Sequence, residues 1–272
     1  MGTLGRTWEL AKQSFAVLRA DKEILLFPVM SAIAAILISA TFVVPLWFSG
    51  AFAPATGAAL PPLAYLTLFA NYYALYFVII FFNSALVACA NIRLGGGDPT
   101  VGDGLRMASS RIGRIAVWAL VASTVGLLLR MLEERAEYIA RIVISLVGLA
   151  WTLLTYFIVP VIIFEDRTMG ESIKRSAELF RRDWGEQVLG GFSFGLLGFL
   201  LAIPAIVLTV VLAVVHPLLG ILFFLLSILT LAAVLSAVRG IFTVALYRYA
   251  TKGEVPAGFS PELIRGAFTP RG

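Results

Sequence analysis

Hydrophobic residues in this chain gather into six long runs separated by short polar stretches. The runs cover roughly Ile24 to Phe48, Leu63 to Ala90, Ile115 to Leu132, Ile142 to Phe164, Val188 to Val215 and Leu218 to Leu246. Each is about as long as the 17–25 residues a helix needs to cross a bilayer. None has the period-two alternation of an outer-membrane barrel strand, so all six predict helices. The pattern predicts an all-α membrane protein. Six transmembrane helices form three hairpins, with amphipathic interfacial helices on the cytoplasmic side, in a single membrane domain over residues 1–272.

The polar stretches carry the next layer of information. Thr100-Val101-Gly102-Asp103 is followed by Leu105-Arg106, and Thr168-Met169-Gly170-Glu171 is followed by Ile173-Lys174. Each places a Thr at the N-cap and an acid at the third helical position, a reciprocal cap that starts a helix. Each cap then opens a basic amphipathic segment leading into a pair of spans. Near the N-terminus, Leu4, Trp8, Ala11, Phe15 and Leu18 share one helical face, which makes a third such lead-in. The order suggests three parallel repeats, residues 1–90, 98–164 and 166–247. It is also what three hairpins with basic lead-ins and chance caps would give. The far-side connections are a charge-free Pro/Ala/Gly loop from Gly50 to Pro62, helix extensions with Arg130/Glu134 and Glu137/Arg141 pairs, and a tight turn at His216-Pro217.

Charge fixes the orientation expected. From the N-terminus, the successive segments outside the runs carry four, none, four, two, five, none and four Lys or Arg residues, while Arg130 and Arg239 lie inside the third and sixth runs, nearer the far and the basic end respectively. Counted by side, 18 of the 21 fall on the side of both termini, which the positive-inside rule makes cytoplasmic. Composition agrees: 60% of the 272 residues are hydrophobic, 14% are charged, and the mean hydropathy is +0.95. Soluble domains carry about 25% charged residues. The pI of 9.6 therefore marks affinity for an anionic leaflet and not for nucleic acid. Cys89, the single cysteine, excludes an internal disulfide or a Cys-based metal site. No cleavable signal peptide is read in the first residues, and Arg6 breaks the myristoylation pattern. No cofactor is expected.

Several residues suggest chemistry or contacts. Gly191-Phe192-Ser193-Phe194-Gly195 matches G-x-S-x-G, but that motif needs a strand-to-helix turn and a nearby His. Here Ser193 lies in an apolar run, and the only His, His216, sits 23 residues on. Gly191, Gly195 and Gly198, continued by Ala202 and Ala205, read better as a small-residue stripe for close helix packing or a subunit contact. Arg239 lies inside the sixth run, roughly 13 Å from its basic end. A charge there needs a partner, and the nearest acids are Glu165, Asp166 and Glu186, a possible buried charge site. The other reading gives Arg239 an anion or a lipid phosphate. In the second run, Tyr72, Tyr76 and Asn83 share a face suited to interhelical hydrogen bonds or a polar pathway. Arg106, Arg111 and Arg114, with Lys174, Arg175, Arg181 and Arg182, could contact anionic lipid headgroups or simply set orientation.

The segment Gly170-Glu171-Ser172-Ile173-Lys174-Arg175-Ser176, the closing Trp184-Gly185-Glu186 and the tail Ala245-Leu246-Tyr247-Arg248-Tyr249-Ala250-Thr251 resemble a family of bacterial and archaeal multi-pass membrane proteins of unknown function. More distantly, the pattern is similar to the membrane domain of some glycerophosphodiester phosphodiesterases. The resemblance implies a plasma-membrane location and a six-helix fold, and brings no catalytic residues. No nucleophile, base and orienting group can be assembled, so a non-enzymatic protein that organises lipid or protein partners at the cytoplasmic leaflet is expected. The alternative is a small transporter or channel for an anionic or lipid-like solute. A homo-oligomer or another membrane protein as partner stays open.

Overall fold

A computed structural model of the chain describes residues 3–50, 61–184 and 193–262. These contain ten α-helices and, among the described residues, no strand. The first is α1, Thr3–Ala20. A short 3-10 turn, Lys22–Leu25, leads into α2, Leu26–Phe48, and α3 follows at Pro62–Leu94. Next come α4, Val101–Ser110, α5, Ile112–Arg135, α6, Tyr138–Leu154, and α7, Ile158–Phe164. The chain continues with α8, Met169–Trp184, α9, Ser193–Val215, and α10, Pro217–Lys252. Six helical stretches are long and apolar enough to cross a membrane: Lys22–Phe48, Pro62–Leu94, Ile112–Arg135, Tyr138–Phe164, Gly198–Val215 and Pro217–Lys252. All six expected spans are thus present, and most of the helices run a few residues past the apolar run that signals them.

The hairpins meet at one end, which carries the basic segments and is called the basic end below. The buried side chains concentrate there: Ser84 to Ala90 on α3, Ala237 to Tyr247 on α10 with only Arg239 and Thr243 less enclosed, and Ile158 to Ile163 on α7 apart from Val159. Toward the far end the helices are barely covered by protein. α6 buries no residue, and Val214 on α9 is 83% exposed. Apolar surface facing hydrocarbon costs nothing, so helices in a bilayer gain by close packing and polar ties instead of by hiding apolar area. Several close approaches lie on α3, which touches α2, α4, α5, α7 and α10. A Cβ added at Gly104 of α4 would sit 2.7 Å from the Ala85 carbonyl oxygen, Cys89 Sγ and Phe27 Cζ. A Cβ at Gly240 of α10 would overlap the Leu86 side chain, and one at Gly126 of α5 would lie 3.0 Å from the Tyr76 hydroxyl.

The fourth span is broken. Pro160 has no N–H, and its ring crowds the carbonyl four residues back. The helix stops at Leu154 and restarts at Ile158. The break leaves the Phe157 N–H in the core, where it donates to Ser176 Oγ of α8 at 3.1 Å. That bond seats α8 against the broken span. Its buried face is Ser172, Ser176 and Leu179, at steps of four and three.

Both expected caps form. Asp103 N donates to Thr100 Oγ1 at 3.2 Å while Thr100 N donates to Asp103 at 3.0 Å. Thr168 and Glu171 repeat the exchange at 3.4 and 2.9 Å. His216 caps α10 by accepting from Leu218 N at 3.2 Å. Two details differ from the sequence reading. α1 buries Ser14, Val17 and Leu18, whereas Phe15 is exposed, so its inner face is rotated from the expected one. Arg130 pairs with Glu134 at 3.1 Å, but Arg141 donates to the Ala136 carbonyl and makes no ion pair with Glu137.

Gly104→Ala is expected to lower the melting temperature of detergent-purified protein, at a cost of about 1–3 kcal/mol, because the Ala85 carbonyl cannot move aside. Gly113→Ala, with nothing within 4 Å of its new Cβ, is expected to keep or raise it by about 0.5–1 kcal/mol. Equal melting temperatures would show that α4 does not seat this closely on α3.

Candidate functional site

The densest polar cluster lies where α7 ends at the basic end. Glu165 follows Phe164 in extended backbone and starts a short link, Glu165-Asp166-Arg167, to the cap of α8. Its carboxylate accepts from the Tyr247 hydroxyl of α10 at 3.0 Å, Arg175 Nε of α8 at 3.3 Å and Arg167 Nε at 2.5 Å. Arg114 of α5 donates to the Glu165 carbonyl at 2.8 Å and also bonds the Asp166 carboxylate. Arg111, between α4 and α5, reaches Asp166 at 3.2 Å. Two neighbouring acids therefore tie α5, α8 and α10 to the end of the fourth span. Burial pushes the Glu165 carboxyl up, but hydrogen bonds from Arg167 and Tyr247 and the charge of Arg175 outweigh it, and it titrates below the ordinary 4.5. Asp166 is held below its ordinary value by the hydrogen bond and charge of Arg114, then by Arg111.

A second cluster joins the ends of α3 and α10. Arg248 donates to the Asn91 side-chain oxygen at 3.1 Å, to the Asn91 carbonyl at 3.1 Å and to Glu254 at 3.4 Å. Asp21, before the first span, is 6% exposed, and burial raises its pKa. Glu23 accepts from Val101 N at 3.0 Å, so it supplements the cap of α4 from the first hairpin.

The predicted residues divide between these clusters and the surface. Arg111, Arg114 and Arg175, read as lipid contacts, are about 28–30% exposed and bound to Glu165 or Asp166. Their charge is answered inside the protein. Arg106 is 81% exposed and pairs with Asp103 at 3.4 Å. Lys174 and Arg181 are exposed on the face of α8 opposite Ser172 and Ser176. Arg182 has no described side chain. Gly198 is buried, and a Cβ there would meet Leu235 Cδ1 at 2.8 Å, so this member of the stripe packs α9 on α10 within one hairpin. Gly191 lies outside the described residues, and nothing is described around Gly195.

The buried charge site is corrected. Arg239 is exposed on α10, and among the described residues neither Glu165 nor Asp166 pairs with it. Its carbonyl accepts from Thr243 Oγ1 at 2.9 Å, which also lies 3.3 Å from the Tyr156 hydroxyl. Glu186, the third candidate partner, lies outside the described residues. Apolar neighbours on both sides of Arg239 say only that it is within a span; which face meets protein is set by the packing of α10. Sequence reasoning passed over Ser176 and Pro160 as partners. Proline inside an apolar run was the available signal for the break. Of the second-span residues, the Tyr72 and Tyr76 hydroxyls bond each other at 3.2 Å beside Gly126 of α5, and Tyr73 donates to the Ala116 carbonyl.

The model of a family of unknown function, DUF6159, matches residues 63–259, from the start of α3 to the segment just beyond α10. No curated protein and no solved structure matches the chain. The likeness to glycerophosphodiester phosphodiesterases finds no support in these comparisons.

Glu165→Gln is expected to cost about 2 kcal/mol of stability at neutral pH, the range for hydrogen bonds to a charged group. A carboxylate whose folded pKa is lowered stabilises above its unfolded pKa, and the gain is lost as pH falls through the folded value. The wild-type protein should therefore lose stability below about pH 4.5, and Glu165→Gln should lose less over that interval. Thermal unfolding across pH measures both slopes, and identical slopes would refute the role given to Glu165.

Proposed function

The chain belongs to this family of unknown function, and from that premise we propose that it is a non-catalytic multi-pass protein of the plasma membrane, with both termini cytoplasmic, that gathers lipid or protein partners at its cytoplasmic leaflet. The observation that carries this reading is a rim of exposed cations at the basic end. Arg19 and Lys22 lie at the start of the first span, Arg106 lies on α4, and Lys174 and Arg181 lie on α8, all of them exposed. The helices under them are fixed by Gly104 against α3 and by Ser176 against the broken span. A fixed basic rim suits an anionic headgroup layer, to which each Lys or Arg near the surface adds about 1 kcal/mol. The three arginines that could have joined it hold the bundle together instead.

The transporter reading has less support. It required the polar face of the second span and Arg239 to line one path. Tyr72 and Tyr76 face Gly126 of α5, while Arg239 is on the outside of α10.

The test replaces Arg19, Lys22, Arg106, Lys174 and Arg181 together by Gln in the full chain, in nanodiscs of mixed phosphatidylcholine and phosphatidylglycerol. The wild-type protein should enrich phosphatidylglycerol around itself, and added salt should weaken that enrichment. The variant should lose it. Unchanged enrichment in the variant would overturn the proposal. So would saturable anion flux in proteoliposomes that Arg239→Ala abolishes.

A further inference from the structure

On α10, Leu218, Leu222, Leu225, Leu229, Ala232, Ser236 and Arg239 recur at alternating steps of four and three residues, which places them in one stripe along the helix. All seven are exposed. The next members, Thr243 and Leu246, pass under the core, half-buried and fully buried. Arg239 is thus the last exposed residue of an apolar stripe, at the point where that stripe enters the protein. It lies eight residues before Tyr247, whose hydroxyl meets Glu165, and so about 12 Å along the helix from the polar cluster.

A guanidinium at that depth needs a counter-charge. Glu165 and Asp166 are taken by Arg111, Arg114, Arg167 and Arg175. An arginine within a span can snorkel along its helix toward the nearer interface, here the basic end, where a lipid phosphate supplies the counter-charge.

We infer that Arg239 binds the phosphate of one anionic phospholipid from the leaflet at the basic end, with the acyl chains lying along Leu229 and Leu225. The polarity fits: headgroup toward the basic end, chain ends toward the far side. The hydroxyls of Thr243 and Tyr156 lie within one helical turn on the headgroup side. A second copy of the chain is disfavoured, because a parallel two-fold pair through this stripe would set one Arg239 against the other. The site lies inside a span, apart from the rim proposed above, and does not depend on that reading.

Full-length protein is extracted in mild detergent with phosphatidylglycerol and phosphatidylcholine, and retained lipid is counted by native mass spectrometry. The wild-type chain should keep one phosphatidylglycerol in preference to phosphatidylcholine, and added salt should leave it in place, since the site is out of water. Arg239→Gln should weaken retention about tenfold, as loss of a charge-assisted hydrogen bond implies. Arg239→Lys should keep part of it, holding the charge without the bidentate fork. Arg130→Gln, an exposed arginine at the far end that pairs with Glu134, should change nothing. Equal retention of both lipids by the wild-type chain, or unchanged retention in Arg239→Gln, overturns the proposal even where one variant folds poorly. Thermal protection by inorganic phosphate equal to that by the lipid would assign the site to a soluble anion. Lipid retention that rises sharply in Glu186→Gln would assign Arg239 to an internal ion pair, and a cross-linked dimer lost in Arg239→Gln would assign the stripe to a second copy; each of these also overturns it.

Discussion

The organisation of this protein depends on the Phe157 N–H finding an acceptor. Pro160 breaks the fourth span inside the core, and a backbone donor left bare there would carry the full cost of desolvation, about 1–3 kcal/mol. Ser176 supplies the acceptor from α8, a helix that sequence pattern alone would lay on the membrane surface. Seated there, α8 brings Arg175 to Glu165, and Glu165 in turn holds Tyr247 of α10. A break in one span thus becomes a joint between the second and third hairpins. It also explains why the buried side chains collect at one end. The joint, the contacts of Gly104 and Gly240 with α3 and the Arg248–Asn91 bonds all lie there, and toward the far end the helices are covered less by protein.

The same reasoning separates two kinds of arginine. Positive charge beside a span is usually read as topology, since the positive-inside rule asks only that the charge be there. Arg111, Arg114 and Arg175 satisfy that rule and also close ion pairs with Glu165 or Asp166, more than fifty residues away in sequence for the first two. Their partners are acids on the same side of the membrane, which the rule ignores. A charge count therefore overstates how much of the basic surface is free to meet a leaflet, and the exposed set shrinks to residues whose helices point them outward.

What could be read from the chain was whatever is local. The six spans follow from run length and the caps at Thr100 and Thr168 from a four-residue pattern. The turn at His216-Pro217 follows from proline's missing donor. What could not be read was the choice of face. α1 turns Val17 inward and Phe15 outward, although either would satisfy an amphipathic helix. Arg239 has apolar neighbours along the chain on both sides, and yet it lies on the outer surface of α10, because Gly240 next to it is the residue pressed against Leu86. Successive helical residues are rotated by about 100°, so a close approach at one position carries its neighbour round toward the outside.

That last relation gives Arg239 its significance. The contact at Gly240 fixes the rotation of α10 about its axis, and with it the side from which the charge must be met. Had α10 been turned to bury Arg239, an acid from the Glu165 cluster would have had to leave its present partners, and the joint between hairpins would have lost the group that closes it. The close glycine contact and the acid cluster therefore exclude the same arrangement from two directions. An outward-facing arginine inside a span follows from the packing as well as from the sequence, and its counter-charge has to be sought beyond Glu165 and Asp166.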